Sequence, residues 1–323
     1  MSTRTNSESK KAFQPRTGQQ YSISYGDYQA IVTEQGAILR ALKYQGRDLI
    51  ASFGEDELVP CSNGNVLVPF PNRIEDGEYS FDGRSYQLPI DEHDRNNAIH
   101  GYGYRYYWKL ESLTESSVTL SWRTPALAYY PFDLIVTVSY ELGEQGLTMT
   151  TSARNQGSSR APWAFGIHPW LANGKESHGD AIQADNEACS LLIPCRTHVE
   201  VNDRLIPTGE EAAQDGNDLS QGISLKGCAF DDAWCDPIRD AQGRSTAVFT
   251  RPDGIRVELW GDETINAWQV CTGTGFDASF RPAGVAVEPM TAYANAFRTG
   301  KDLVAIDPGQ TYSSQVGYRA ERV

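Results

Sequence analysis

NVLVPFPNRIEDGEYSFDGRSYQLPIDEHDRNNAIHG, residues 65–101, is the stretch from which the fold can be read. Val66, Leu67 and Val68 form a short apolar run. Pro69 and Pro71 stop it, because proline has no N–H to give to a sheet ladder. Asn72 and Arg73 follow at once, so an amide and a guanidinium stand at the exit of a buried strand. Glu78–Phe81 and Arg84–Leu88 are then two strand-like segments around Asp82-Gly83, a pair that favours a type I′ hairpin. A polar loop, Asp91–Asn97, leads to Ala98, Ile99 and His100. An arginine and a histidine therefore leave strand ends within one short unit, where β proteins tend to carry binding chemistry.

Outward from this stretch the same grammar repeats. Tyr21–Tyr25 and Tyr28–Val32 flank Gly26-Asp27, and Ala37–Tyr44 continues the alternation. Ser117–Arg123, Asp133–Leu142 and Gly146–Asn155 follow at regular spacing without interposed helices, which predicts antiparallel meanders. Cys189–Pro194, Arg244–Arg251, Arg256–Gly261, Ala267–Gly273 and Val285–Thr291 read as further strands, and a last one runs through Tyr318. Asn173–Asp185 reads as a polar loop, and acidic Gly209–Leu219 as a place for a short helix. Tyr, Phe and Trp number 16, 11 and 7, and 29 Gly and 16 Pro punctuate many short segments. That is the composition of an all-β protein. Residues 1–18 have almost nothing to bury and are expected to be a disordered tail. With no linker or fixed-period repeat, residues 19–323 are expected to form one β domain.

The net charge of −14 opposes nucleic acid and anionic membrane at long range. No apolar run approaches the roughly 20 residues that span a bilayer. The six cysteines, at 61, 189, 195, 228, 235 and 271, include no C-x-x-C, and the polar start has no secretory apolar segment. Free thiols in a reducing cytoplasm are the expectation.

Two acid–base candidates come from strand parity. In Phe165-Gly166-Ile167-His168-Pro169, Phe165 and Ile167 take the core face, and Gly166 and His168 the other. Pro169 ends the strand and keeps His168 extended. A histidine beside a glycine has room for a ligand and a pKa suited to proton transfer; a structural histidine bonded to a carbonyl is the alternative. In Val285-Ala286-Val287-Glu288-Pro289, the valines take one face, and Ala286 and Glu288 the other. A carboxylate there is costly unless paired or used, and an edge salt bridge is the alternative. His100 and Asp231 could each serve a site or merely a turn. Arg73 could be an ordinary carboxylate partner. His93, His178 and His198 lie in polar stretches and are expected to face solvent. Neither H-x-H nor H-E-x-x-H occurs, so no metal is expected. There is no G-x-S-x-G and no phosphate-binding glycine loop.

PNRIEDGEYSFDGRSYQLP with NNAIHG, followed by GIHPW, FDDAW and VEPMTAYANAF, resembles the aldose 1-epimerases (mutarotases), in the bacterial branch with PNRI and NAIHG. The resemblance runs from about Tyr21 to the C-terminus. It implies a large antiparallel β-sandwich of the galactose mutarotase-like supersandwich type and interconversion of α and β anomers of free aldohexoses. It implies Glu288 as general base, His168 as general acid and His100 as their aid near the ring oxygen. Arg73, Asn72, Asp231 and Trp234 would contact the sugar. No cofactor is implied, since the steps are proton transfers, and the partner is a monosaccharide. A monomer or homodimer is expected. Asp232 stands where many mutarotases have histidine, which leaves sugar preference open. An epimerase of an anionic sugar, with Arg73, Arg95, Arg105 and Arg281 as its cations, remains an alternative. So do a glycosidase using Asp231 and Glu288 and a non-catalytic carbohydrate-binding protein.

Overall fold

Two large antiparallel sheets frame the protein, and the computed structural model describes residues 14–175 and 178–323 of it. One sheet has nine strands, ordered Lys109–Leu113, Ser117–Arg123, Leu134–Gly143, Gly146–Asn155, Thr311–Arg322, Ile255–Gly261, Ser245–Thr250, Ser190–Leu192 and Ile223–Ser224. The second has eight. Its path runs Pro207–Ala212, Cys195–Val201, Asp231–Pro237, Ala267–Cys271, Gly284–Met290, Gly166–Ile167 and Val66–Leu67, with Trp170–Ala172 also paired to Gly284–Met290. A four-stranded sheet from Gln20 to Asp48 adds to the frame. The expected all-β antiparallel sandwich is what the chain forms.

The alternation seen in the sequence is what separates core from site. Val285, Val287, Trp268, Val270 and Trp234 belong to the main core, with Phe165 and Ile167. Ala286, Cys271 and Trp170 pack together on the opposite face. Because side chains alternate strictly along a strand, Glu288 shares Ala286's face and Gln269 shares that of Cys271. Gln269 lies directly opposite Glu288, and Asp231 directly opposite Cys271. One face of the second sheet is therefore hydrophobic core, and the other carries a row of polar groups.

Over that polar face lies the unit that opened the sequence. Asp82 and Gly83 both have positive φ, 49° and 76°, and join Glu78–Phe81 to Arg84–Gln87 as a two-residue hairpin. Arg73–Glu75 pairs with Asn97–Ile99, Arg73 opposite Ile99, and the His100 N–H donates to the Asn72 carbonyl at 2.9 Å.

Some local expectations differ. Residues 1–13 of the expected tail lie outside the described residues. Within 14–18, Thr17 is buried and its hydroxyl donates to the Glu55 carbonyl at 2.7 Å. The supposed polar loop 173–185 contains the start of a short helix, Ala181–Glu187, which buries Ile182 and Asn186. The supposed helix near 209–219 is instead an edge strand, Pro207–Ala212, followed by a turn of 3₁₀ helix at Asp215–Asn217. Its acidic residues suit an edge, where charge discourages further pairing.

Gly101 fixes the approach of His100. Its φ is +64°, and a Cβ there would clash with the Val68 carbonyl oxygen. That oxygen already accepts from the N–H groups of Tyr102 and Gly103. Gly101→Ala is expected to cost about 1–3 kcal/mol in denaturant unfolding. Gly216→Ala, with nothing within 4 Å of its added methyl, should change stability by less than about 0.5 kcal/mol. Equal effects at the two positions would contradict this account of the turn.

Candidate active site

Glu288 is 2% exposed although it is ionisable. Its strand is buried along its whole length, between Ala267–Cys271 on one side and Gly166–Ile167 with Trp170–Ala172 on the other. His168 leaves the end of one of these neighbours. Its N–H donates to the Asn65 carbonyl at 3.1 Å, and its own carbonyl accepts from Gly64 at 2.8 Å. So pinned, it brings Nε2 to 3.3 Å from Glu288 Oε1. The His100 ring meets that of His168 edge-on, centroids 5.1 Å apart. His100 has a left-handed backbone, φ 62°, as does Asn72, φ 52°. For non-glycine residues this is strain of the kind found where a side chain must be aimed.

These groups line one cavity of about 320 Å³, with Arg73, Asn72, Asp231, Glu92, Trp170 and Phe276. The size falls in the range of small-molecule sites. Trp170 lies nearly parallel to His168, and Phe276 meets Trp170 edge-on. Arg73 makes a two-point fork with Glu92, at 3.0 Å from both Nε and NH2, and its NH2 is 3.7 Å from Asp231 Oδ2. Gln269 links the row: its Nε2 donates to Asp231 Oδ1 at 2.9 Å, and its Oε1 accepts from Asn72 Nδ2 at 3.1 Å.

Burial dominates the electrostatics. It pushes the Glu288 carboxyl well above the usual carboxylate range, helped by the Asp231 charge and opposed by Arg73. It lowers His168 to about 4, with Arg73 adding to the shift. His100 is driven well below 6.5 by burial, His168 and Arg73. Both shifts favour the neutral forms, a carboxylic acid at Glu288 and an unprotonated imidazole at His168. Glu288 Oε2 and His100 Nδ1 have no hydrogen-bond partner, and His168 Nδ1 has none beyond its own residue. Buried polar atoms are normally paired. Glu288 and His100, which carry two such atoms, both line this cavity, and unpaired polar groups of this kind suit a ligand rich in hydroxyls.

Of the residues singled out in the sequence, Glu288, His168, His100, Arg73, Asp231 and Asn72 converge here. Trp234 does not. It is fully buried in the main core, packed on His198 and Phe230, and its Nε1 donates to the Asn217 carbonyl. Parity explains this, since Asp231 and Trp234 are an odd number of residues apart and face opposite ways. Trp170 and Phe276 supply the aromatic wall instead. Gly166 also serves another purpose than expected: an added Cβ would meet Pro71 and Met290, so its small size admits neighbouring protein rather than a ligand. His198, expected at the surface, is 7% exposed beside Asp232 and Glu211. Glu92 and Gln269 were missed. Glu92 lies in a polar loop without periodicity, whereas Gln269 could have been found as a polar residue inside the apolar strand Ala267–Cys271. Among the described residues no group of three or more His, Cys, Asp or Glu is arranged to hold a metal ion.

A sequence model of the family described as aldose 1-epimerase matches residues 19–319. The protein YihR of Escherichia coli (strain K12) is 31% identical over 300 residues, covering 92% of this chain and 91% of that one. Galactose mutarotase of Homo sapiens is 30% identical over 168 residues, 50% of this chain and 46% of that one. The solved GalM/aldose epimerase homologue from C. elegans superposes with a TM-score of 0.80 at 20% identity, covering 94% and 99% of the two chains. That likeness carries the fold, which is galactose mutarotase-like.

The buried pair has a direct spectroscopic consequence. The His168 ring resonances should stay unmoved from pH 8 down to about 5 and shift only near about 4. His198, whose pKa is raised chiefly by its hydrogen bond to Asp232, should titrate above 6.5. A His168 midpoint near 6.5 would mean that its imidazole is hydrated and the dry pair does not exist.

Proposed function

The chain belongs to the aldose 1-epimerase family, and on that premise we propose that it interconverts the α and β anomers of free aldohexoses. The observation that carries the reading is the 3.3 Å approach of His168 Nε2 to Glu288 Oε1 inside a small cavity. Mutarotation needs a base at the anomeric hydroxyl and an acid at the ring oxygen. Both oxygens are bonded to the same carbon, C1, so the two catalytic groups must be neighbours. A donor and acceptor on distant walls could not serve.

The proton count also fits. In ring opening, carboxylate Glu288 takes the proton of the C1 hydroxyl. The C1–ring oxygen bond breaks as C1=O forms, and imidazolium His168 protonates the departing oxygen. Glu288 is then a carboxylic acid and His168 a neutral imidazole. Rotation about C1–C2 turns the other face of the aldehyde to the attacking hydroxyl. His168 removes that hydroxyl's proton, the ring closes, and Glu288 returns a proton to O1. The pair holds one proton throughout. Burial favours the neutral form, and a proton moved across 3.3 Å restores the ionic one.

His100 would assist at the ring oxygen from its edge-on place against His168. Arg73, Asn72 and Asp231 would hold sugar hydroxyls, with Gln269 bridging the last two from behind, and Phe276, exposed in the lining, the apolar face of the ring. The charge balance favours a neutral sugar over an anionic one. Arg73 and Arg95 are bonded to Glu92, and Arg105 to Asp91. Arg281 lines a neighbouring cavity rather than this one.

Polarimetry on freshly dissolved α-glucose or α-galactose tests the proposal. Glu288→Gln and His168→Asn should each lower the rate about 10²–10⁴-fold. The wild-type rate should be bell-shaped in pH. It falls on the acid side near about 4, where His168 gains a second proton for the pair, and on the alkaline side once Glu288 loses the last one. Wild-type rates equal to buffer across a panel of aldoses would overturn the proposal.

A further inference from the structure

Glu92 lies outside every motif of the sequence, yet it is the main partner of Arg73, the only arginine among the described residues lining the cavity. Its carboxylate meets Arg73 along the Nε–NH2 edge, with contacts of 3.0, 3.0 and 3.2 Å. The carboxylate is itself held. Asn97 Nδ2 donates to Oε2 at 2.9 Å, and Arg95 NH1 to Oε1 at 3.0 Å. The Glu92 backbone exchanges hydrogen bonds with Asn97 in both directions. Asn97 is fully buried, so the fork is anchored to the frame. NH1 has the weakest contact, 3.4 Å to Asn72 Oδ1, which leaves that corner of the guanidinium for a ligand.

We infer that Glu92 is a positioning residue for the epimerase site, holding Arg73 in a fixed fork and cancelling its charge beside Glu288 and His168. The inference rests on the acid–base reading above and deepens it. A planar guanidinium gripped on one edge presents the other in a set direction. Cancelling its charge matters because Arg73 faces the catalytic groups and acts against their protonated forms: it lowers His168 and His100 and opposes the rise in Glu288. Other charged or titratable groups in the surroundings are Asp231, which also faces Arg73, Cys271 on the adjoining strand, Cys61 across the cavity with Arg281 near both thiols, and Asp91 and Arg95 beside Glu92. Burial alone would raise the Glu92 carboxyl, but the Arg73 fork, the Asn97 hydrogen bond and the Arg95 charge together outweigh it and hold Glu92 below its usual value. Glu92 therefore stays ionised across the working range. Removing its charge while keeping its shape leaves Arg73 balanced only by Asp231 at 3.7 Å, so more of its positive charge acts on the pair and favours loss of the shared proton.

The test compares Glu92→Gln and Glu92→Asp with the wild type by polarimetry over pH. Glu92→Gln should move the alkaline limb of the rate profile to lower pH by about one unit, the order expected when one nearby charge is uncovered. Glu92→Asp keeps the charge but shortens the arm, so its limb should stay in place while KM rises several-fold. A residue of merely structural importance would lower the melting temperature and move neither limb nor KM, and that result overturns the inference. If Glu92→Gln does not fold, Glu92→Asp decides, with an unchanged KM as the contrary result. Wild-type activity with an unmoved limb removes only the role of Glu92. A wild type without activity removes the epimerase reading itself.

Discussion

Glu288 sits on a strand with no exposed residue, and its side chain points away from the hydrocarbon core into the cavity. Placing a carboxyl and an imidazole there costs several kcal/mol per charge if both are ionised. The cost is moderated because the pair carries one proton and can rest neutral. Keeping the two 3.3 Å apart is what the surrounding structure achieves. The glutamate strand is fixed in register on both sides, and His168 is tied by its backbone to Asn65 and Gly64. A slip of one residue in Gly284–Met290 would turn Glu288 into the core and Val287 into the cavity.

The polar row beside the pair is ordered by the same pairing. Asp231, Gln269 and Asn72 are joined by side-chain hydrogen bonds, and Arg73 completes the set from the strand Arg73–Glu75, paired with Asn97–Ile99. The polar wall thus draws on three distant parts of the chain, around residues 72, 231 and 269. Left-handed backbone at Asn72 and His100 lies at one end of that strand pair. Such conformations persist only where neighbours over-determine them. Here the close contact of Gly101 with Val68 and the Asn295 N–H bond to the Arg73 carbonyl do so.

Much of this was legible because strand parity is strict. Phe165 and Ile167 against His168, and Val285 and Val287 against Glu288, separate core from site by counting alone. Asp82-Gly83 named its hairpin because the turn needs two residues with positive φ. The family motifs supplied what parity cannot, namely that residues so far apart in sequence share one cavity. Trp234 shows the limit of proximity in sequence: three places from Asp231, it belongs to the other face. Glu92 was invisible because its role depends on a pairing with Arg73 that no local pattern encodes. The strand Pro207–Ala212 was obscured because an exposed edge has only a faint apolar alternation to display.

The central claim is that Glu288 and His168 act on one anomeric carbon. A crystal structure of Glu288→Gln with a bound aldohexose tests it most directly. The account predicts O1 within hydrogen-bond distance of the residue 288 amide and the ring oxygen within reach of His168 Nε2, with one sugar ring bridging both. A sugar bound with its C1 turned away from the pair, or bound outside the cavity, would contradict it.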